Sequence, residues 1–406
     1  MIATDNVKET DYKKGVEIEM DKCKSVLFFF HYSDANSGGI RSMLDLIDHF
    51  LELGNIKMYA AFPELNGTAI PYLQKKGVEV LNLRHVPWNT LYTGSKWDAL
   101  RNFPRRFRSQ CRNLIFLAKV GEIVRKEKID CIYSNTFACV AGALCSKVYK
   151  LKHIWHVREF GLQDHYMYPL FGWKCFYHLL NHWTDKIIVI SESLRDRYLP
   201  FVPGNKISVI YDDISPVFIN DTRTPSGDCV NILIAGTVQP GKRQIEAIQA
   251  TQAAKEMGCN VHLYIAGGGQ PSYMKLLKEY VQQHNMESYM TFLGHVINMN
   301  QLRSKMDIGL VCSQSEAFGR VTVEGMLSHM AMIGARSAGT SELIRHGETG
   351  YLYELGNYMD LAEQIAALCK DEALRDTIAE GGYQSAKERF TQGQCADAIW
   401  RMIQDI

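Results

Sequence analysis

The 406-residue chain has no C-x-x-C pair among its 11 cysteines, no D-x-D pair of aspartates and almost no net charge. Its cysteines are scattered, Cys139 and Cys145 being the nearest two, so neither a zinc cluster nor a disulfide framework fits the spacing. Isolated thiols in that number predict a reducing compartment. Lys and Arg number 45 against 44 Asp and Glu, which excludes a chain-wide nucleic-acid footprint and an acidic tail. No apolar run reaches the roughly 18 residues that span a bilayer. The charged first 24 residues, closing on Lys22-Cys23-Lys24, lack the apolar centre of a signal peptide. These absences predict a cytoplasmic protein with no nucleic-acid partner.

What is present is ordinary globular material, 46% hydrophobic and 22% charged, long enough for two large domains or three small ones at about 150 residues each. Charge is divided unevenly: residues 1–213 hold 29 Lys and Arg against 23 Asp and Glu, and the remainder hold 16 against 21. The two halves therefore face different partners. Short β-branched or aromatic runs alternate with longer amphipathic segments, as at residues 26–30, 40–53 and 57–62. Further strands are predicted at 129–133, 153–156, 186–190, 207–211, 230–235, 261–266, 290–292 and 308–311. Alternating β and α units imply parallel sheets covered by helices on both faces. The stretch 212–228, with Pro216, Pro225, Ser226 and Gly227, has no hydrophobic period and reads as a linker. We take residues 1–213 as one domain, 214–228 as the linker and 229–390 as a second domain. Two doubly wound domains in tandem would set a cleft between the carboxyl ends of their sheets, where such sheets bind ligands.

The strongest constellation is Ser315-Glu316-Ala317-Phe318-Gly319-Arg320-Val321-Thr322-Val323-Glu324-Gly325, after the apolar strand 308–311. A loop carboxylate and a helical one would flank a helix N-terminus near Gly319, whose free amides and positive dipole end suit a diphosphate. Glu316 could then take a sugar hydroxyl and Glu324 the ribose hydroxyls; the alternative is a loop and a surface glutamate with no shared site. The run Gly236-Thr237-Val238-Gln239-Pro240-Gly241-Lys242-Arg243 fits G-x-x-x-x-G-K, yet Arg243 stands where a P-loop has Ser or Thr. A glycine turn delivering Lys242 to a phosphate remains, against a plain polar turn with a solvated lysine. Gly267-Gly268-Gly269 and Ser37-Gly38-Gly39 read equally as βα turns or as ligand contacts. His156 closes the strand 153–156 and is expected to point into the crevice, although a lone histidine is more often structural. His178 and His182, spaced i, i+4, lack a third ligand, and no metal site is expected.

These pieces follow one order, together with Ile188-Val189-Ile190-Ser191-Glu192-Ser193, Phe292-Leu293-Gly294-His295-Val296 and Ala338-Gly339-Thr340-Ser341-Glu342-Leu343. From about residue 25 to 390 the series resembles the retaining, nucleotide-sugar-dependent glycosyltransferases of the GT-B fold, the family often called glycosyltransferase family four. The resemblance implies two Rossmann-like domains facing across a cleft, the first mostly for the acceptor and the second for the donor. It implies that Glu324 binds ribose, Glu316 lies on the sugar side and Lys242 holds the diphosphate. Gly319 and Arg320 would offer backbone amides, with Phe318 beside them and Gly236 and Thr237 in the phosphate turn. Val296 would border the base, His156 would stand beside the sugar, and the Gly38-Gly39 loop would close on the phosphates. The tail 391–406, helix-like over 396–403, is expected to cross back onto the first domain. Two departures matter: Thr237 stands where many members have an arginine, leaving Arg243 or Arg320 as substitutes, and Asp212-Asp213 replaces the usual Asn-Gly.

The expected activity is retaining, metal-independent hexosyl transfer, of the polysaccharide-synthesis kind, from a nucleotide diphosphate sugar, UDP-sugar foremost, to a hydroxyl acceptor. Rivals are a P-loop ATPase, which Arg243 argues against, and a two-domain periplasmic-type sugar-binding protein, which the missing signal peptide argues against. The segment from Arg101 to Lys126 adds Arg105, Arg106, Arg108, Arg112, Lys119 and Arg125, interleaved with aromatic and aliphatic residues, against the single acid Glu122. Residues 101–112 are read as a patch for an anionic membrane surface, placing the enzyme peripherally at the inner face with a sugar or lipid-linked acceptor. The alternative is a solvated loop around Pro104 followed by a helix packed on the sheet.

Overall fold

The structure, a computed structural model, describes residues 23–35, 37–91, 96–220 and 227–406. Most of the N-terminal segment considered above as a signal peptide, and Pro225 and Ser226 of the linker, lie outside these residues.

Among the described residues the first domain contains strands β1 (Lys24–Phe29), β2 (Ile56–Phe62), β3 (Glu79–Arg84), β4 (Asn89–Leu91), β5 (Cys131–Asn135), β6 (Lys152–Val157), β7 (Met167–Pro169), β8 (Lys186–Val189) and β9 (Ile207–Val209). Seven of them form a parallel sheet in the order β3-β2-β1-β5-β6-β8-β9, while β4 and β7 pair antiparallel beside it. The second domain contains β10 (Val230–Ala235), β11 (Val261–Ala266), β12 (Met290–Gly294), β13 (Ile308–Val311), β14 (Ala331–Ala335) and β15 (Tyr351–Tyr353), ordered β12-β11-β10-β13-β14-β15 and parallel throughout. Strand order reverses between β1 and β5 in one sheet and between β10 and β13 in the other, which opens a crevice at the carboxyl end of each pair. Val26, Leu27, Phe28, Phe29 and Phe30 are all fully buried, because a parallel strand covered on both faces has no solvent side.

The helix Gln394–Asp405 crosses to the first domain. Cys395, Ala396, Ile399, Trp400 and Ile403 form its apolar stripe and join the core of Val26, Phe28 and Phe50. Trp400 stands 6.0 Å from the Phe50 ring, and His49 Nε2 lies 3.1 Å from Asp397. The Asp212-Asp213 pair explains the anchoring. Arg158 bonds Asp212 in a buried ion pair, and Asp213 Oδ2 accepts the Ala396 amide at 3.1 Å, at the start of the returning helix.

Several local expectations are corrected. The strand expected at 129–133 begins at Cys131, and β3, β4, β7, β14 and β15 are strands beyond those expected. Pro104 lies inside a continuous helix, Lys96–Lys126, with no loop around it. Phe116, Leu117, Val120 and Val124 are buried on one side of this helix, whereas Leu114 and Ile115 are 64% and 61% exposed.

Candidate functional site

The loops after the switch-point strands converge on one cleft. From the first domain come Gly38 and Gly39, after β1, and Arg158 and Glu159, after β6; from the second come Lys242, after β10, and Glu316 to Arg320, after β13. Two connected cavities fill it. One, of about 500 Å³, is lined by Gly38, Arg41, Val296, Arg303, Arg320 and Glu324. The other, of about 360 Å³, is lined by Gly38, Gly39, Lys242, Glu316, Phe318 and Gly319, with Arg320 again at the boundary.

Lys242 Nζ lies 2.5 Å from Glu316 Oε1, which also accepts the Ser313 hydroxyl at 2.6 Å. At the other end Arg303 bonds Glu324, and Arg320 Nε stands 3.6 Å from the same carboxylate. Arg320 also spans the cleft, donating to Ser42 Oγ at 2.8 Å and Asp45 Oδ2 at 3.2 Å. Burial pushes the Asp45 carboxyl above its ordinary range, opposed by Arg320 and Arg41. Gly319 has φ +98 at the N-cap of the helix Arg320–Met326, a left-handed conformation that a side chain rarely adopts. Gly38 faces open space, with no atom within 4 Å of where a Cβ would stand.

Other predicted residues fall elsewhere. His156 is fully buried and does not open into the crevice; its Nδ1 lies 2.5 Å from Tyr133 Oη, and burial, aided by Arg158, holds its pKa well below the usual histidine range. The expected exposure fails because the side chain of this strand-end residue is enclosed beneath the cleft, while Arg158 and Glu159, two and three residues on, reach the lining. Gly236 and Thr237 line neither cavity, and Thr237 is exposed. The triple glycine serves backbone approach: a Cβ on Gly267 would stand 1.9 Å from Gly236 O, and one on Gly269 2.0 Å from Val238 O. Of the two candidates to replace the missing arginine, Arg320 lines the cleft, whereas Arg243 lines neither cavity and is ion-paired with Glu246.

Sequence reading missed Arg41, Arg303, Arg158, Glu159 and Asp164 as lining residues. Glu159 accepts the amides of Phe137 and Arg158, both at 3.0 Å. Burial, and then the Asp164 charge, pushes its pKa up to about 8. Its position directly after His156-Val157-Arg158 was the available signal. Arg41 and Arg303 sit on helices with no local pattern to mark them. Two quoted motifs meet across the domains: Glu342 accepts the amides of Glu192 and Ser193 at 2.9 and 2.8 Å, and the Tyr211 hydroxyl at 2.8 Å.

The family model described as Glycosyltransferase Family 4 matches residues 69–214, and that described as Glycosyl transferases group 1 matches residues 224–385. The chain is 36% identical over 217 residues to N-acetyl-alpha-D-glucosaminyl L-malate synthase of Bacillus anthracis, an alignment that covers 51% of this chain and 56% of that protein. It is 28% identical over 300 residues to an uncharacterized glycosyltransferase of Methanocaldococcus jannaschii, covering 72% of this chain and 80% of the relative. Its fold is similar to that of Anabaena HepE, solved in complex with UDP and glucose, with a TM-score of 0.74 at 20% identity over 94% of this chain and 99% of that one. With two consecutive family matches laid on two facing parallel sheets, the chain belongs to the family-four-like glycosyltransferases of the GT-B fold.

Proposed function

We propose that the protein is a retaining glycosyltransferase that moves a hexose from a nucleotide diphosphate sugar, UDP-sugar foremost, to a hydroxyl acceptor, without a metal. The carrying observation is the placement of Glu316 and Glu324 at opposite ends of one cleft, with Lys242 at the first and Arg303 and Arg320 at the second. In this reading Glu324 takes the ribose hydroxyls, Val296 borders the base and Glu316 takes a sugar hydroxyl. As the glycosidic bond breaks, charge grows on the leaving diphosphate. Lys242 and the amides that follow Gly319 stabilise that charge more than they stabilise the bound donor, which is the condition for acceleration. Cations already placed at the leaving group would make a divalent ion unnecessary. The UDP complex of the similar Anabaena fold supports the choice of donor class.

On the acceptor side, the helix Lys96–Lys126 supports attachment to an anionic membrane and a lipid-linked or polysaccharide-type acceptor. Arg101, Arg105, Arg108, Arg112 and Lys119 follow helical spacing along one stripe and are exposed. Phe103 and Phe107, 40% and 50% exposed, lie on another side of the helix, where each ring stands 6.2 Å from Phe171. Among the described residues no helix is long and apolar enough to cross a membrane.

Calorimetric titration with UDP, GDP and ADP, followed by hydrolysis of a nucleotide-sugar panel with and without EDTA, tests the reading. We expect a UDP preference and turnover that survives the chelator. Preference for ADP with magnesium, or turnover restored only by manganese, would overturn it.

A further inference from the structure

A third cavity, of about 300 Å³, lies outside the donor cleft, between the β4/β7 ribbon and the helix Lys96–Lys126. Its size is at the lower end of the range for small-molecule sites. Trp88, Leu91 and Leu170 give it apolar walls, and Asn89, Thr90 and Arg106 give it polar ones. Asn89 also lines the donor cleft, so the two spaces are neighbours sharing one side chain.

Three features mark it as a binding site. Thr90 is 3% exposed, and its Oγ1 is buried without a hydrogen-bond partner. A buried hydroxyl in that state loses its water bonds without replacement, unless a ligand supplies them. The Asn89 amide donates to Met167 Sδ at 3.0 Å, a weak acceptor that a sugar oxygen would improve on. Arg106 is the helix's inward arginine: with Asn113, Leu117, Val120 and Val124 it repeats at i, i+7, i+11, i+14 and i+18, the side that packs on the domain. It is half-buried, and among the described residues it has no ion-pair partner. Asn113 fixes the helix here by bonding both the amide and the carbonyl of Val86, at 2.7 and 2.9 Å.

We propose that this cavity is an acceptor-side subsite for a sugar unit bearing an anionic group, its carboxylate or phosphate on Arg106 and its hydroxyls on Thr90 and Asn89. The proposal rests on the transferase reading for its role, but its binding test does not. Arg106 thereby separates from the exposed cationic stripe of the same helix.

Saturation-transfer NMR titrations with glucuronate, glucose 6-phosphate, glucose and inorganic phosphate, each with and without saturating UDP, provide the test. Glucuronate and glucose 6-phosphate should bind at least about tenfold more tightly than glucose or inorganic phosphate, whether or not UDP is present. Arg106→Gln should abolish that preference. Thr90→Val, which keeps the shape and removes the hydroxyl, should weaken both anionic sugars without lowering the unfolding midpoint. Equal binding of glucose, equal binding of inorganic phosphate, displacement of the probes by UDP, or an Arg106→Gln protein indistinguishable from the parent would each overturn the subsite. Failure of UDP itself to bind would instead sink the transferase reading, while the titrations without UDP still decide the subsite.

Discussion

Glu324 is held by two guanidinium groups, Arg303 and Arg320, at the end of the cleft assigned to ribose. Replacing it with alanine should weaken UDP binding by about 1.5–3 kcal/mol, the range for hydrogen bonds to a charged group. Unchanged UDP affinity by calorimetry would remove the ribose assignment. Glu159 makes a different prediction, about pH. Its carboxyl is neutral in the fold well above its ordinary value of 4.5 and ionises only near 8. Between those values the unfolded chain has released the proton and the folded chain has not. The contribution of this group to stability is therefore present in full below about 4.5 and is lost as pH rises through about 8. Glu159→Gln, which cannot ionise, should flatten the decline of the denaturation midpoint between pH 5 and 8. Parallel profiles for parent and variant would refute the shift. Glu316 and Lys242 were legible in sequence because each follows a strand at short range, and Glu324 because it stands in one run with Glu316 and Gly319. Arg41 and Arg303 were not, since a helix position faces a cleft only once its neighbours are packed.

At the scale of elements, the helix Lys96–Lys126 departs from the alternative reading around Pro104 and agrees with it beyond, where the helix packs on the domain. Its cations and aromatics were evident, but Pro104 suggested a loop, because proline removes an interior helical hydrogen bond. The structure continues the helix through it, with Pro104 on the exposed side and Asn113, Phe116, Leu117, Val120 and Val124 anchoring the remainder. If this element meets an anionic membrane, each charge near the surface contributes about 1 kcal/mol. The combined Arg105→Glu, Arg108→Glu and Arg112→Glu variant should then lose salt-sensitive sedimentation with anionic liposomes. A parent protein that ignores such liposomes at low salt, where attraction is strongest, would refute the membrane reading. The strand β14 was missed for a compositional reason: Ala331, Ala335 and Gly334 carry little β preference. Its burial makes sense only beside Gly309 and Gly325, where a Cβ would stand 2.4 Å from Met332 Sδ.

For the whole molecule, the two domains share an apolar core that runs from Trp155, Phe176 and Tyr198 to Leu233, Val311 and Phe318, and polar contacts join them near the cleft. Arg320 reaches Ser42 and Asp45 from one side, and Glu342 caps the helix Glu192–Tyr198 from the other. Glu342→Ala removes an acceptor from two helix amides, the Ser193 hydroxyl and Tyr211. It should cost about 1–3 kcal/mol and raise the nucleotide-free radius of gyration in small-angle scattering. An unchanged radius together with unchanged stability would show that this contact does not hold the domains.

The sequence by itself determined the alternation of strand and helix, the order of the motifs and the carboxylate-glycine-carboxylate run around Gly319, because each depends on neighbours a few residues apart. Tertiary structure alone decided which of those residues reach the cleft. It buried His156 under Arg158 and Tyr133, turned Gly267 and Gly269 into packing glycines against the 236–238 turn, and chose Arg320 over Arg243 as the cleft arginine. It also set Arg106 apart from its neighbours by rotating it toward the domain. The physical reason is that a side chain's direction, or the room for one at a glycine, is fixed by what packs against its element, and those partners are distant in sequence.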